Sequence, residues 1–129
     1  MKIEPEQAER LRFLARVVQR EQKHLETTDA RVFDKPFTPE RARGLSDNVD
    51  EAERVEAFVS LFGRLQDTLG DKLLPLYLDV LGEQPGAAID NLDRAEKLGW
   101  IPSSDDWLAM RKLRNQMVHE YIEDSARMS

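Results

Sequence analysis

Residues 47–69 have the sequence DNVDEAERVEAFVSLFGRLQDTL, and its apolar side chains recur at steps of three and four residues. That period belongs to a helix that buries one face. The stripe consists of Val55, Phe58, Val59, Phe62, Leu65 and Leu69. It includes two of the five phenylalanines of the chain, which favours a central position. We therefore predict that this helix, from about residue 47 to 69, forms the centre of the core.

The chain before this helix predicts one long helix and a loop. Residues 5 to about 28 carry Pro5 in the first turn and a stripe at helical spacing. The stripe consists of Leu11, Leu14, Ala15, Val18, Gln22 and Leu25. Thr27 to Pro39 is the best loop candidate. Thr38 then suits an N-cap, with Pro39 at the first position of a short helix that Gly44 interrupts.

The chain after this helix predicts two more helices. Gly70 marks a kink or an end, and Pro75 either bends the helix or begins a new one. Residues 87–98 form a helix on Ile89, Leu92, Ala95 and Leu98, closed by Gly99. Ser103 and Asp106 resemble a capping box at the start of a last helix over residues 104–124. The connections are short, so we predict an all-α, four- to five-helix antiparallel bundle.

One apolar segment leaves two interpretations open. Leu74, Leu76, Tyr77, Val80 and Leu81 are more apolar than one face of a monomer requires. They form either ordinary core or an interface with a partner.

Composition restricts the class of protein. With 129 residues, we expect a single domain over 1–129. Cysteine is absent, which excludes a disulfide framework and fits a reducing cytoplasm. We see no apolar leader and no run of about 20 apolar residues, so we expect a cytoplasmic protein that does not enter a membrane.

The charge distribution also restricts the function. The net charge of −6 argues against a general nucleic-acid coat protein. Positive charge is nevertheless concentrated at Arg111, Lys112 and Arg114. A second set of arginines lies in the first helix: Arg10, Arg12, Arg16 and Arg20. The simplest interpretation of this set is a solvated helix face.

Residues 111–121, RKLRNQMVHEY, combine side chains that stability alone does not require. At about 100° per residue, Asn115 and His119 lie one turn apart on a row that Arg111 extends. Arg114 and Tyr121 share a neighbouring row, so Arg114 and His119 flank a groove. A separate apolar arc, able to face a core, consists of Met110, Leu113 and Met117.

The other histidine belongs to a weaker pattern. Glu21 and His24 form Glu-x-x-His, which occurs twice in di-metal helical bundles. A second copy is missing, because the residue three before His119 is Gln116. An exposed His24 is therefore the preferred interpretation.

The pattern Arg114-Asn115-x-x-x-His119-x-Tyr121 should occur by chance in about one chain of this length in several thousand. It resembles the motif of the HEPN family, small all-helical ribonuclease toxins encoded beside a minimal nucleotidyltransferase (MNT) antitoxin. All four residues match the HepT-like branch, and the length and helix order of the whole chain agree more loosely.

The resemblance implies a HEPN-like fold and a metal-independent endoribonuclease without a cofactor, in a type VII-like toxin–antitoxin pair. His119 would transfer protons, Arg114 would stabilise the phosphate, and Asn115 would position either group. Arg111 and Lys112 are candidates for RNA binding. The family also implies a homodimer, with motif helices facing each other across a cleft.

Two alternatives remain. In similar pairs the MNT antitoxin transfers AMP to the motif tyrosine, here Tyr121, although this residue also suits the margin of a core. The second alternative is a function of a different class, in which the chain is a non-catalytic subunit that binds a substrate or nucleotide for the nucleotidyltransferase.

Overall fold

The computed structural model describes residues 3–117, with Met117 described by its backbone alone, and these residues form helices joined by short connections. The helices are α1 (Pro5–Val32), α2 (Pro39–Arg43), α3 (Val49–Asp67), α4 (Leu74–Val80), α5 (Ala88–Lys97) and α6 (Ser104–Met117). A 3₁₀ turn over Gly44–Asp47 precedes α3, and a wide π-turn over Thr68–Leu73 joins α3 to α4 without a break. Counting this continuous rod once gives five helices in the part described, which confirms the all-α prediction.

The long helices run antiparallel, as predicted. Near the start of α1, Gln7 donates a hydrogen bond to Asp79 near the end of α4, at 2.8 Å. At the other end of α1, Val32 packs with Val55 and Val59 of α3. Because the start of one helix meets the end of the other at both places, α1 is antiparallel to the rod.

The core lies on α3, as residues 47–69 predict. Val55 and Val59 pack with Val32 and with Leu45 of the 3₁₀ turn, and Ala52 and Phe58 cover this cluster. The valine and leucine side chains of the cluster are almost fully buried. Their burial fixes the rod, against which α6 then packs.

The first predicted loop is shorter than expected, because α1 continues to Val32. Thr27 does not break the helix, since its hydroxyl donates to the carbonyl of Lys23 at 3.1 Å. Burial of Val32 in the core then holds the last turn. The restart is confirmed: the backbone N–H of Arg41 donates to the hydroxyl of Thr38 at 3.2 Å, an N-cap.

Neither Gly70 nor Pro75 ends the rod. Proline in an α-helix clashes with the carbonyl four residues earlier. Here Pro75 lies in the first turn of α4, directly after the π-turn. The wider spacing of that turn offers a physical reason why the helix continues across the proline.

The predicted stripe of α5 is only half correct. Leu92 and Ala95 are buried, but Ile89 and Leu98 are exposed. The helix instead turns Asn91 inward, where its amide accepts a hydrogen bond from the N–H of Gly86 and donates to its carbonyl, at 2.8 and 3.1 Å. These two hydrogen bonds fix the connection before α5 to the helix.

The caps around α5 and α6 agree with prediction. Gly99 ends α5 with φ of 79°, in the left-handed region that favours glycine. The backbone N–H of Asp106 donates to the hydroxyl of Ser103 at 3.1 Å, which is one half of the predicted capping box.

The apolar segment of α4 is divided between core and surface. Leu78 and Val80 are buried, whereas Tyr77 is exposed and lies against Trp100, with ring centroids 4.8 Å apart. Among residues 3–117, no helix combines the length and apolar character that crossing a membrane requires.

The burial of Leu78 predicts a large stability effect. Its side chain is 1% exposed, so Leu78→Ala should lower the free energy of unfolding by about 2–5 kcal/mol. Leu98→Ala is the matched control, because Leu98 is 44% exposed and should cost under about 1 kcal/mol. Urea unfolding measures both values. Equal losses would contradict the assigned core.

Candidate functional site

Helix α6 packs on the rod through a face that the apolar pattern did not predict. Trp107 lies over Gly70, Arg111 contacts Asp71, and Arg114 contacts Asp67. Positions 107, 111 and 114 are four and three residues apart, so they share one side of the helix. The arginines therefore face the rod, Arg114 at the end of α3 and Arg111 at the π-turn, rather than a solvent side opposite the core.

The predicted apolar arc is wrong for the two of its members that the structure describes. Met110 and Leu113 are 53% and 58% exposed. Ion pairing explains the difference, because turning Arg111 and Arg114 toward the acids of the rod turns Met110 and Leu113 away from it. The structure describes the third member, Met117, by its backbone alone.

Arg114 is held by a two-pronged ion pair. Its Nη1 and Nη2 donate to the two carboxylate oxygens of Asp67, at 3.2 and 3.0 Å. The planar guanidinium matches a carboxylate in this geometry, which fixes direction as well as distance. The Arg114 side chain is 15% exposed, so it is largely covered and still reaches the surface.

Arg111 makes a second pair of the same kind. It donates to the two carboxylate oxygens of Asp71 at 3.2 and 2.9 Å, and its Nη2 lies 3.7 Å from Asp67. The four side chains carry two positive and two negative charges. We call Arg111, Arg114, Asp67 and Asp71 the charged cluster, and its formal net charge is zero.

The neutral cluster corrects one expectation. The concentration of positive charge expected at Arg111, Lys112 and Arg114 is offset at both arginines by an adjacent carboxylate. Lys112 and Asn115 are exposed on the same helix. Asp67 and Asp71 are 42% and 39% exposed, so solvent partly screens both pairs and their contribution to stability is modest, while their geometry orients the arginines.

Gly63 provides space for Arg114. A Cβ atom built on Gly63 would lie 2.7 Å from both Cδ and Nη1 of Arg114, closer than atoms of this kind approach. Glycine inside a helix lowers its stability, so its presence at a close approach has a steric explanation. The arginine side chain therefore lies directly on the backbone of α3.

A shallow groove runs beside the cluster. It has a volume of about 250 Å³, and its walls come from α3 and α6: Phe58, Val59, Phe62, Met110, Leu113 and Arg114. Arg114 is the charged residue of an otherwise apolar lining. The groove thus joins the motif helix to the aromatic face of α3.

A larger recess of about 650 Å³ lies elsewhere, between α1, the rod, α5 and α6. Its walls include Leu69, Leu74, Tyr77, Trp100 and Trp107. Binding sites for polar ligands need a few directed polar groups. Charged side chains are absent from the lining among the residues described, so this recess is a poorer candidate for phosphate chemistry than the charged cluster.

The two side chains of the Glu-x-x-His pattern do not lie together. Glu21 is buried and His24 is exposed, so the two side chains lie in different environments. Across residues 3–117, histidine, aspartate and glutamate side chains do not gather in any group of three suited to hold a metal ion. Exposure of His24 agrees with its preferred interpretation.

The remaining motif residues lie beyond the part of the chain that the structure describes. These are His119 and Tyr121, together with residues 118–124 of the predicted last helix. The described site therefore consists of Arg111, Lys112, Arg114 and Asn115 from the predicted set.

Three residues of the site escaped sequence analysis: Gly63, Asp67 and Asp71. Two signals point to them in retrospect. Asp67 and Asp71 are four residues apart and Arg111 and Arg114 are three apart, so each pair lies on one side of its helix and the two can meet across neighbouring antiparallel helices. Gly63 is an isolated glycine inside a strongly helical pattern, which often has a packing reason.

Over residues 3–117 the protein is all-helical, and the last helix of this range is docked by two arginine–aspartate pairs. Comparisons with protein-family models, with curated proteins and with solved structures find no match to this chain.

Proposed function

We propose that this protein is a HEPN-type endoribonuclease, the toxin of a toxin–antitoxin pair, acting in the cytoplasm. The observation that carries the proposal is the pattern of Arg114, Asn115, His119 and Tyr121 in an all-helical chain. The docking of Arg114 supports it, because a guanidinium with a fixed direction suits recognition of one phosphate.

The chemistry needs no metal ion. An imidazole exchanges protons near neutral pH, so His119 would remove the proton of the RNA 2′-hydroxyl or protonate the leaving 5′-oxygen. Arg114 would stabilise the charge on the phosphorane, and Asn115 would orient either group. The products would be a 2′,3′-cyclic phosphate and a 5′-hydroxyl. Lys112 and Arg111 would contact neighbouring phosphates.

The active form would be a homodimer. Met110 and Leu113 are exposed beside Phe58 and Phe62, which gives the motif helix an apolar flank on the molecular surface. A second copy would cover this flank, and a two-fold axis would bring two motif helices together. Pairing would also supply twice the number of arginines to one cleft.

The partner would be an MNT-type nucleotidyltransferase that transfers AMP to Tyr121. The added phosphate and nucleotide would block an RNA cleft by charge and by size. Incubating the protein with the nucleotidyltransferase encoded beside it and ATP should add about 329 Da per AMP, the mass of one adenylyl unit. Tandem mass spectrometry should locate the addition at Tyr121, and a Tyr121→Phe variant should remain unmodified. Modification of Tyr77 instead would contradict this assignment.

A second candidate function is a non-catalytic subunit of the nucleotidyltransferase. The neutral charge of the cluster favours it, because polyanion binding normally draws on a positive surface. Purified protein incubated with labelled RNA separates the two functions. The ribonuclease proposal expects cleavage to cyclic phosphate ends and growth arrest on expression, whereas the subunit expects intact RNA and normal growth.

A further inference from the structure

The acid that holds Arg114 is more exposed than the arginine itself. Asp67 is 42% exposed and Arg114 15%. An exposed carboxylate beside a phosphate-binding group repels RNA, so its presence weakens substrate binding. We propose that Asp67 is a positioning residue for Arg114. Asp67 sets the direction of the Arg114 guanidinium for RNA cleavage, and its negative charge lowers the affinity for RNA. This inference rests on the proposed ribonuclease function.

The hydrogen bonds of the pair leave part of the guanidinium available. A guanidinium has five N–H groups, four of them on the two terminal nitrogens. Asp67 accepts one hydrogen bond from each terminal nitrogen. One further N–H on each remains, in the plane that the carboxylate has fixed. These two N–H groups point to opposite sides of the guanidinium, and the one on Nη1 lies toward Gly63 and the backbone of α3. A phosphate oxygen would therefore meet the N–H of Nη2, whose direction is already set.

Gly63 supplies the second constraint. The Arg114 side chain lies on the α3 backbone where a Cβ atom would be 2.7 Å from Cδ and Nη1. Gly63 and Asp67 are four residues apart, so they lie on one face of α3, one turn from each other. The backbone at Gly63 thus limits the position of the Arg114 side chain, while the Asp67 carboxylate binds its guanidinium.

Orientation and affinity are separable in this arrangement. The charge of Asp67 acts on RNA binding, whereas its two hydrogen bonds act on the geometry of Arg114. Binding energy that does not improve the transition state lowers the dissociation constant without raising the rate. A misplacement of a catalytic group by about 1 Å lowers the rate by about 100-fold. A substitution that removes both the negative charge of Asp67 and its hydrogen bonds to Arg114 should therefore tighten RNA binding and slow RNA cleavage.

Three variants separate the two effects. Asp67→Asn removes a negative charge and the two-pronged pair. Asp71→Asn removes the same charge one turn away, where the partner is Arg111 rather than Arg114. Gly63→Ala keeps every charge and displaces Arg114 by contact, and alanine favours the helix, so the fold should be retained.

The measurements use a labelled single-stranded RNA of mixed sequence. Fluorescence anisotropy gives its dissociation constant, and cleavage under single-turnover conditions gives the rate. We expect Asp67→Asn to bind RNA a few-fold more tightly and to cleave about 10- to 100-fold more slowly. We expect Asp71→Asn to bind more tightly by the same factor and to lose less rate than Asp67→Asn, because its partner is Arg111 rather than Arg114. We expect Gly63→Ala to lose rate without a change in affinity.

Each other outcome has a definite meaning. An unaltered protein that does not cleave RNA overturns the proposed ribonuclease and this inference with it. If the unaltered protein cleaves and Arg114→Ala does not, equal rates for Asp67→Asn and Asp71→Asn overturn the positioning role alone. Thermal melting shows whether each variant is folded. If Asp67→Asn is unfolded, a Gly63→Ala variant that cleaves at the full rate overturns the inference by itself.

Discussion

Replacing His119 by alanine should reduce RNA cleavage by about 10²–10⁴-fold, the range of general acid–base catalysis. Replacing Arg114 by alanine should cost about 10²–10³-fold, because a donor that stabilises developing charge is lost. Arg114→Lys should remain defective as well. A lysine keeps the charge but cannot reproduce the two-pronged contact with Asp67 or with a phosphate.

Arg111→Ala is the matched control for Arg114→Ala. Both arginines lie on α6 and both pair with an aspartate of the rod through two hydrogen bonds. Arg111 stands outside the Arg-x4-His pattern, so its loss should weaken RNA binding while the single-turnover rate stays within about tenfold. Circular dichroism confirms folding in each case. A folded His119→Ala variant that cleaves RNA at the original rate would falsify the mechanism.

Replacing Leu113 by aspartate should convert the proposed homodimer into a monomer and abolish cleavage with it. Leu113 is 58% exposed in the single chain, so the substitution leaves the monomer fold almost unaffected. In a two-fold interface the new carboxylate is buried twice without a partner. The dimer dissociation constant should rise by about 100-fold or more.

Light scattering coupled to size exclusion measures the oligomeric state across a range of concentrations. Ile89→Asp serves as the control, since Ile89 is exposed to a similar extent on α5 and does not line the groove of α3 and α6. It should stay dimeric and active. A Leu113→Asp protein that remains dimeric would move the interface to another surface, and an unaltered protein that is monomeric yet active would remove the dimer from the proposal.

Local signals in the sequence predicted most of the helices and their ends. The Thr38 cap, the Ser103 cap and the glycine at position 99 are contacts within a few residues, so they depend little on the rest of the fold. The end of α1 depends on a distant partner, because Val32 is buried against α3. That is why the loop was predicted to start five residues before the helix in fact ends.

The orientation of α6 could not be predicted from its own residues. Apolar periodicity favours turning Met110 and Leu113 inward, but the opposite choice lets two arginines reach two acids. Choosing between them requires knowledge of which helix lies opposite and in which direction it runs. For the same reason the motif identified Arg114, while Asp67 and Gly63 became visible only when α3 and α6 were brought together.

The π-turn between α3 and α4 sets the rotational phase of the rod. In an uninterrupted α-helix, the 19 steps from Val59 to Leu78 would place these side chains about 100° apart around the axis. The six residues of the turn advance by about 80° each instead of about 100°, which removes roughly that difference. With that advance Val59 and Leu78 would point roughly the same way, and both are buried. The number of residues in this segment is thus as much a part of the architecture as their identity, since one more or one fewer would swing the second half of the rod out of alignment.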